Sequence, residues 1–510
     1  MPAMVAYLPA KMNRPRSISE YWQIYPEEDS QYTKKERIIP IRLKSQDCNW
    51  WSHPSDTMEK KATMVLIAVI AVVAVVAVAA FVMMGGSSSD KYSINGSLNV
   101  YGNADGDYKI DQKDIGVIED VIDGKKTLAQ YPFADANTDG VVNQKDIDLV
   151  NKIINKQNCT VFIVNQKKTA GEYISTVKWP IKSAITAASS NMLLLFEFAG
   201  LTDQIKGISF TSSSDPALEK TIFGYYATIT KLGTSSTAIS IDAATDTINK
   251  YNVTAVIADY TDSTLSNEAA FVADGIDVIR VSAAVTDPDK YASQIMLMSF
   301  LFNTQSDAIY EYAEWNTKVI NDITKKLEKV KEKATVIACN GAISSSSGTK
   351  RIWVSAGSSD YKDVVETAGA TYAITDEFLK TISTYTSGAY FNEGDTWVYQ
   401  LNPSSIISIR TGAWYEGNVD PVKMFEESLS IFDKTQAWET DHVAVIAGDA
   451  PITVRIAYAA AILYPDLFSM EWADGINKEA MNKFYPEEVN LDGKYFCITK
   501  EVYNALKNKA

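Results

Sequence analysis

Residues 135–146 read DANTDGVVNQKD, with oxygen-bearing side chains at a spacing that wraps a hard cation. Asp135, Asn137, Asp139, Asn143 and Asp146 take loop positions one, three, five, nine and twelve, and Val141 offers its backbone carbonyl at seven. Gly140 stands at six, where a loop of this type turns sharply. Calcium takes about six to eight oxygens at roughly 2.4 Å, which this pattern supplies. An earlier copy runs from Asn103 to Asp114, with Asn103, Asp105, Asp107, Asp111 and Asp114 at the same positions and the Lys109 carbonyl at seven. Tyr108 occupies position six there, and the glycine has moved to four. The spacing therefore predicts Tyr108 in an unusual backbone conformation and a differently shaped site. One or two calcium ions are expected, against the plainer reading of two solvated Asp/Asn turns.

Other chemistry is thinly represented. The only histidines are His53 and His442, so a histidine-rich zinc or manganese site is excluded. No Gly-x-Ser-x-Gly elbow occurs, and Asp441-His442 has no recognisable nucleophile. Gly341 and Ser344–Ser347 lack the glycine and lysine spacing of a phosphate loop. These residues predict a binding protein and not an enzyme.

The elements that must carry the loops begin with an apolar run, Ala62–Met84, of 23 uncharged residues. As a helix it would span about 34 Å, enough to cross a hydrocarbon core of about 30 Å. Lys60 and Lys61 precede it, so the positive-inside rule places the chain after Gly86 outside the cell, with the run retained as a single-pass membrane anchor. Residues 1–57 read as a cytoplasmic tail, or as sequence ahead of a true start at Met58. The 510-residue chain carries net charge −15. Residues 1–61 hold ten Lys/Arg against eight Asp/Glu, so the remainder carries −17 and would repel nucleic acid. Of four cysteines only Cys159, Cys339 and Cys497 follow the anchor, too few and too scattered for a disulfide framework.

Helical faces follow each loop, at Ile115, Ile118, Val121 and Ile122, then at Ile147, Val150, Ile153 and Ile154. Two loop–helix units closed by aspartate resemble the dockerin module over residues 93–156. That resemblance implies calcium binding and allows docking to a cohesin-type domain, and it equally allows a spacer packed on its neighbour.

Beyond it, β-rich runs alternate with amphipathic helices, which predicts an α/β domain with parallel sheets. The runs are Val161–Val164, Gly207–Phe210, Ala255–Ala258, Val278–Val281, Val336–Ala338, Arg351–Val354 and Ile406–Ile409. Between Ser306 and Lys333 a helical pattern without Gly or Pro separates two halves of similar size, predicting two lobes on a rigid spacer. The expected organisation is 58–86 anchor, 87–158 calcium module and 159–510 substrate-binding domain. The latter divides into a first lobe 159–304, a spacer 305–334 and a second lobe 335–510.

Several segments in order carry a second resemblance, over residues 161–486. They are Ser189–Ser209 (SSNMLLLFEFAGLTDQIKGIS), Asn252–Ala258, Trp353–Asp360, Ala368-Gly369-Ala-Thr, Leu401-Asn-Pro403 and the Ala457–Phe468 helix. Together they resemble the iron-siderophore, haem and cobalamin substrate-binding proteins of ABC importers. The resemblance implies capture of a chelated metal, haem or corrinoid for an ABC permease, and a permease-contacting glutamate on each lobe, for which Glu197 is the first-lobe candidate. In such α/β sheets ligands lie beyond the carboxyl ends of strands. That places Ser189, Ser190, Phe210, Thr211 and Tyr260 on one side and Gly357, Ser358, Arg410, Thr411 and Trp414 on the other. Arg410 could grip an anion bidentately or pair with a surface carboxylate; Trp414 could wall a cleft or join the core. Tyr225-Tyr226, Trp397 and Tyr399 read as core. A calcium-dependent surface adhesion or scaffold protein remains the competing reading.

Overall fold

The computed structural model describes residues 91–510 apart from 169, 211–225, 227, 234–238, 266, 341–349, 356–359, 386–387, 411–419, 486–489 and 510. The apolar run 62–84 lies outside these residues, and among them no helix is long and apolar enough to cross a membrane.

The calcium-type module forms two loop–helix units whose helices are α1 (Gln112–Ile122) and α2 (Gln144–Ile154). Each helix opens with a capping box built from loop positions nine and twelve: Asp111 with Asp114, and Asn143 with Asp146. Ile115, Ile118, Ile147 and Val150 bury against one another as a small core between the units.

A two-stranded antiparallel hairpin follows, β1 (Cys159–Lys167) with β2 (Gly171–Trp179). The Val161–Val164 run is thus a strand as expected, but it belongs to this hairpin and not to a parallel sheet. An isolated bridge between Val100 and Ile163 ties the hairpin to the module.

The first lobe is an all-parallel sheet ordered β5 (Thr230–Gly233), β4 (Ile205–Phe210), β3 (Ala184–Ala188), β6 (Ala255–Asp259) and β7 (Asp277–Val281). Its central strand reads AITAA and is buried throughout, because apolar layers cover both faces. One layer includes α3 (Ser190–Phe198) and α4 (Pro288–Leu301), both almost wholly buried. The other packs Ala244, Phe271 and Ile276 beneath the sheet.

The lobes are joined by α5, Asp307–Leu327, a 21-residue helix without Gly or Pro. It ends at Leu327, short of the Lys333 that the pattern suggested, with Val330 in the turn beyond. Tyr312 on its buried face stacks on Phe198 of the first lobe at 4.0 Å and meets Phe484 of the second at 5.2 Å. One aromatic side chain therefore bridges the two halves through the joining helix.

The second lobe is a seven-stranded mixed sheet. Its main path runs β11 (Gly388–Asn392), β9 (Arg351–Ser355), β8 (Thr335–Cys339), β12 (Ser405–Arg410), β13 (Val443–Ala447) and β14 (Cys497–Thr499); β10 (Thr371–Tyr372) pairs with β8. β8, β12 and β13 are parallel, whereas β9, expected in a parallel sheet, runs antiparallel to β8. The helix α6 (Ile452–Leu463), buried at every position, packs on β13 and on α5, and α7 (Met470–Lys483) packs on α6. Tyr226 is fully buried, as expected, and Trp397 and Tyr399 are partly buried against the core, packing on Phe391; Tyr225 lies outside the described residues. Cys159, Cys339 and Cys497 are all free thiols.

Candidate functional site

In the first sheet the strand order reverses between β3 and β6, since the chain proceeds outward from β3 through β4 to β5 before returning. Such a switch point opens a crevice beyond the carboxyl ends of the two strands. Ser189 and Ser190 follow β3, and Tyr260 follows its parallel neighbour β6, so these three predicted residues come together. The Ser189 hydroxyl caps α3 by accepting from the Met192 amide at 3.4 Å, leaving Ser190, half-buried, as the freer hydroxyl. Tyr260 is half-buried, its amide donating to Val281 and its carbonyl accepting from Lys168, both at 2.9 Å.

A buried arginine shapes the Tyr260 segment. Arg280 on β7 is 2% exposed, and its guanidinium donates to Glu268 at 2.8 and 3.2 Å. It also donates to the carbonyls of Asp259, Thr261 and Leu265 and to the Thr264 hydroxyl, at 2.8–3.1 Å. Lys167 of the hairpin adds a second cation 2.9 Å from Glu268. Burial raises the Glu268 carboxyl, but hydrogen bonds from Lys167 and Arg280 outweigh it and hold the group below its ordinary value.

The second sheet reverses between β8 and β12, and Arg410 closes β12 at that point. Its guanidinium is already engaged, however: Nη2 lies 3.1 Å from Glu427 and Nη1 3.3 Å from the Ser428 hydroxyl, both on the helix Pro421–Leu429. Arg410 therefore stands where expected but pairs with a carboxylate, the plainer of the two readings. Ser358, Gly357, Thr211, Thr411, Trp414 and the Phe210 side chain fall outside the described residues.

Glu197 requires a correction. It lies 4% exposed on α3 among Met192, Leu193, Leu195 and Phe196. A permease arginine has no access to a carboxylate buried inside that helix layer, so Glu197 is not a docking knob.

Sequence reasoning missed the pair that crosses between the lobes. Arg455 of α6, 1% exposed, donates through Nη2 to the Asn191 side-chain oxygen in the first turn of α3, and through Nε to the Ala450 carbonyl at 2.8 Å. A lone arginine inside the apolar run ITVRIAYAAAIL was the available signal. Asn191 directly follows Ser189 and Ser190, so this contact fixes the first-lobe serines against the second lobe.

The two acidic loops are near copies in geometry. In both, position three donates its amide to the closing aspartate at 3.1 Å, Asp105 to Asp114 and Asn137 to Asp146. Position nine donates to the other oxygen of that aspartate, at 2.7 and 2.8 Å. The side chains at three, five and nine each accept the amide two residues on. The copies differ at position one. Asp135 accepts the amides of Asp139 and Gly140, whereas the Asn103 amide nitrogen donates to the carbonyls of Leu98 and Asp107. The unusual backbone expected of Tyr108 at position six is not found: Tyr108 is not among the residues with positive φ, and Gly106, with φ +75°, takes the left-handed turn instead.

The donor set of the first loop fits a hard cation. Asn103 is fully buried and its Oδ1 has no hydrogen-bond donor; the buried Asp107 Oδ2 has none either. Two buried acceptors without donors are costly unless a cation serves them. Burial and the nearby Asp105 push the Asp107 carboxyl up to about 7 and Asp114 up to about 9. A divalent ion would reverse both shifts. Among the described residues no three His, Cys, Asp or Glu side chains cluster as a metal site by themselves. A calcium ion in the first loop would draw as well on the Asn103 amide oxygen and the Lys109 carbonyl, and one in the second on the Asn143 amide oxygen and the Val141 carbonyl.

No protein-family model matches the sequence, and no curated protein matches it. Solved structures do resemble it. A TroA-like periplasmic binding protein, FepB, from Veillonella parvula aligns with 66% of this chain and 99% of its own at 15% identity, TM-score 0.48. Helicobacter pylori CeuE with Ni(II) bound aligns with 64% and 96% at 14% identity, TM-score 0.43. The periplasmic haem-binding protein HutB of Vibrio cholerae aligns with 56% and 99% at 13% identity, TM-score 0.39. At such identities and scores these likenesses decide neither ligand nor chemistry.

Proposed function

We propose that residues 159–510 form the extracytoplasmic substrate-binding protein of an ABC importer, held at the membrane by the 62–84 run and taking a chelated metal, haem or corrinoid between its lobes. One observation carries the reading. Two α/β sheets, each with a strand-order reversal, are joined by the single helix α5, and polar residues stand at the carboxyl ends of the reversing strands. Ser190 and Tyr260 would line the first-lobe side. Arg410 would serve an anionic group only by exchanging Glu427 for it. Without Gly or Pro in α5, and with Tyr312 and Arg455 tying the lobes, ligand entry would involve little closure.

Isothermal calorimetry of the full chain against a ferric catecholate siderophore, haem and cobalamin tests this. Saturable one-to-one binding of one of them, weakened in Tyr260→Ala, supports the reading; absence of binding to all three counts against it. The competing scaffold reading gains little from the module's packing, which sets it against the hairpin and α5.

A further inference from the structure

The two acidic loops are alike in their hydrogen bonds but not in what surrounds them. Loop 103–114 is pressed into the binding domain. Tyr108, 4% exposed, meets Tyr310 of α5 edge-on at 5.2 Å, and Tyr92 packs on the same ring at 5.5 Å. Around it the Ser93 amide donates to Glu314 of α5 at 2.8 Å, and Lys91 pairs with Asp307 at 2.9 Å. Gly96 sits so close to α4 that a Cβ there would lie 2.7 Å from the Asp289 carbonyl and 2.8 Å from Ala292. The Tyr101 amide donates to Phe162 at 2.8 Å and the Val164 amide to Asn99 at 3.1 Å, joining segment and hairpin as a ladder. Among the described residues loop 135–146 has no such neighbours at its turn, where Asp139 and Gly140 are exposed and Val141 is 60% exposed.

We propose that the two loops have divided their roles: an ion in loop 103–114 is a structural part of the binding domain and orders the lobe-joining helix α5 through Tyr108 and Tyr310, while loop 135–146 exchanges its ion independently. The buried, donorless Asn103 Oδ1 and Asp107 Oδ2 mark the first loop as needing a cation. Asp107 precedes Tyr108, so ordering the carboxylate on an ion also fixes the ring that abuts α5. This explains tyrosine at position six, where the second copy has glycine: the side chain is a packing wedge, and Gly106 supplies the turn. The coupling concerns the joining helix itself and holds whatever ligand the lobes take.

Hydrogen–deuterium exchange of the full chain, in calcium and after chelation, reads the coupling in peptides covering 307–327. If α5 opens only once loop 103–114 has lost its ion, protection rises with calcium by about the ratio of free ion to Kd, or roughly 100-fold at 100 Kd. Between about tenfold and a hundredfold slower exchange is expected in the wild type and in Asp139→Ala, with no calcium effect in Asp105→Ala. Tyr108→Leu should bind as much radioactive calcium in equilibrium dialysis as the wild type, yet lose the response of α5. The wild-type comparison needs no variant, so a poorly folding substitution leaves the test intact. Exchange in 307–327 indifferent to calcium, an unchanged calcium stoichiometry in Asp105→Ala, or a response abolished by Asp139→Ala would each overturn the proposal.

Discussion

Replacing Arg280 with methionine keeps the aliphatic stem and removes a guanidinium that spends its donors on the segment bearing Tyr260. The substitution strips Glu268 of contacts at 2.8 and 3.2 Å and leaves the Asp259, Thr261 and Leu265 carbonyls without that donor. Breaking a buried ion pair by deleting one partner costs about 3–5 kcal/mol. Lys167 stays 2.9 Å from Glu268 and neutralises it, which places the expected loss near the lower end, about 3 kcal/mol. For a domain of about 350 residues, at roughly 2.1 cal/mol/K per residue, that lowers the melting temperature by about 4 °C. Scanning calorimetry of wild type, Arg280→Met, Glu268→Gln and the double variant measures both the loss and the coupling. The double variant should cost less than the two singles together by more than about 1 kcal/mol, since they share one interaction. A melt of Arg280→Met within about 2 °C of wild type would refute the clamp.

Acid titration follows from the same carboxylate. Its folded pKa lies below the unfolded value, so its stabilisation is present above about pH 4.5 and fades as pH falls through the folded pKa; Glu268→Gln should flatten the stability profile in that acidic window. Glu197→Arg should destabilise the first lobe by about 3 kcal/mol or more, seen as a lowered denaturation midpoint, because the site is enclosed; an unchanged midpoint would restore a surface role. Glu427→Gln should release Arg410 and tighten an anionic ligand several-fold in calorimetry, whereas Arg410→Ala costs stability only about 1 kcal/mol or less, the pair being partly exposed. Chelating calcium should lower the melting temperature of the full chain, and Asp135→Ala and Asp146→Ala should reproduce part of that loss.

Local patterns in the sequence were faithful where chemistry and geometry coincide. The twelve-residue loops fold into the same amide-to-carboxylate network because side chains at three, five and nine each bond the amide two residues on, a purely local rule. Seven β-rich runs became strands, yet the sequence read the two most enclosed ones poorly. AITAA of β3 and VAVIA of β13 lie between layers on both faces and show no alternation. Register and partner were also invisible, which is why the Val161 strand and β9 were assigned to parallel sheets. Tyr108 misled because position six was judged from the loop alone, while its neighbour Tyr310 lies some two hundred residues away in the chain. Arg410 and Glu197 were judged by residue type at a favourable position. What decided them was a facing helix in one case and enclosure in the other, both tertiary facts. Arg455 was passed over for the same reason, since only the folded chain brings Asn191 to it.

The central claim, that a ligand is held between the strand ends of the two lobes, is tested most directly by hydroxyl-radical footprinting of the full chain with and without the tightest-binding chelate. The account predicts protection together at Ser190 and Tyr260 in the first lobe and at Arg410 in the second, with the outer face of α7 unchanged. Saturable binding that protects only one lobe, or that protects neither strand-end cluster, would contradict it.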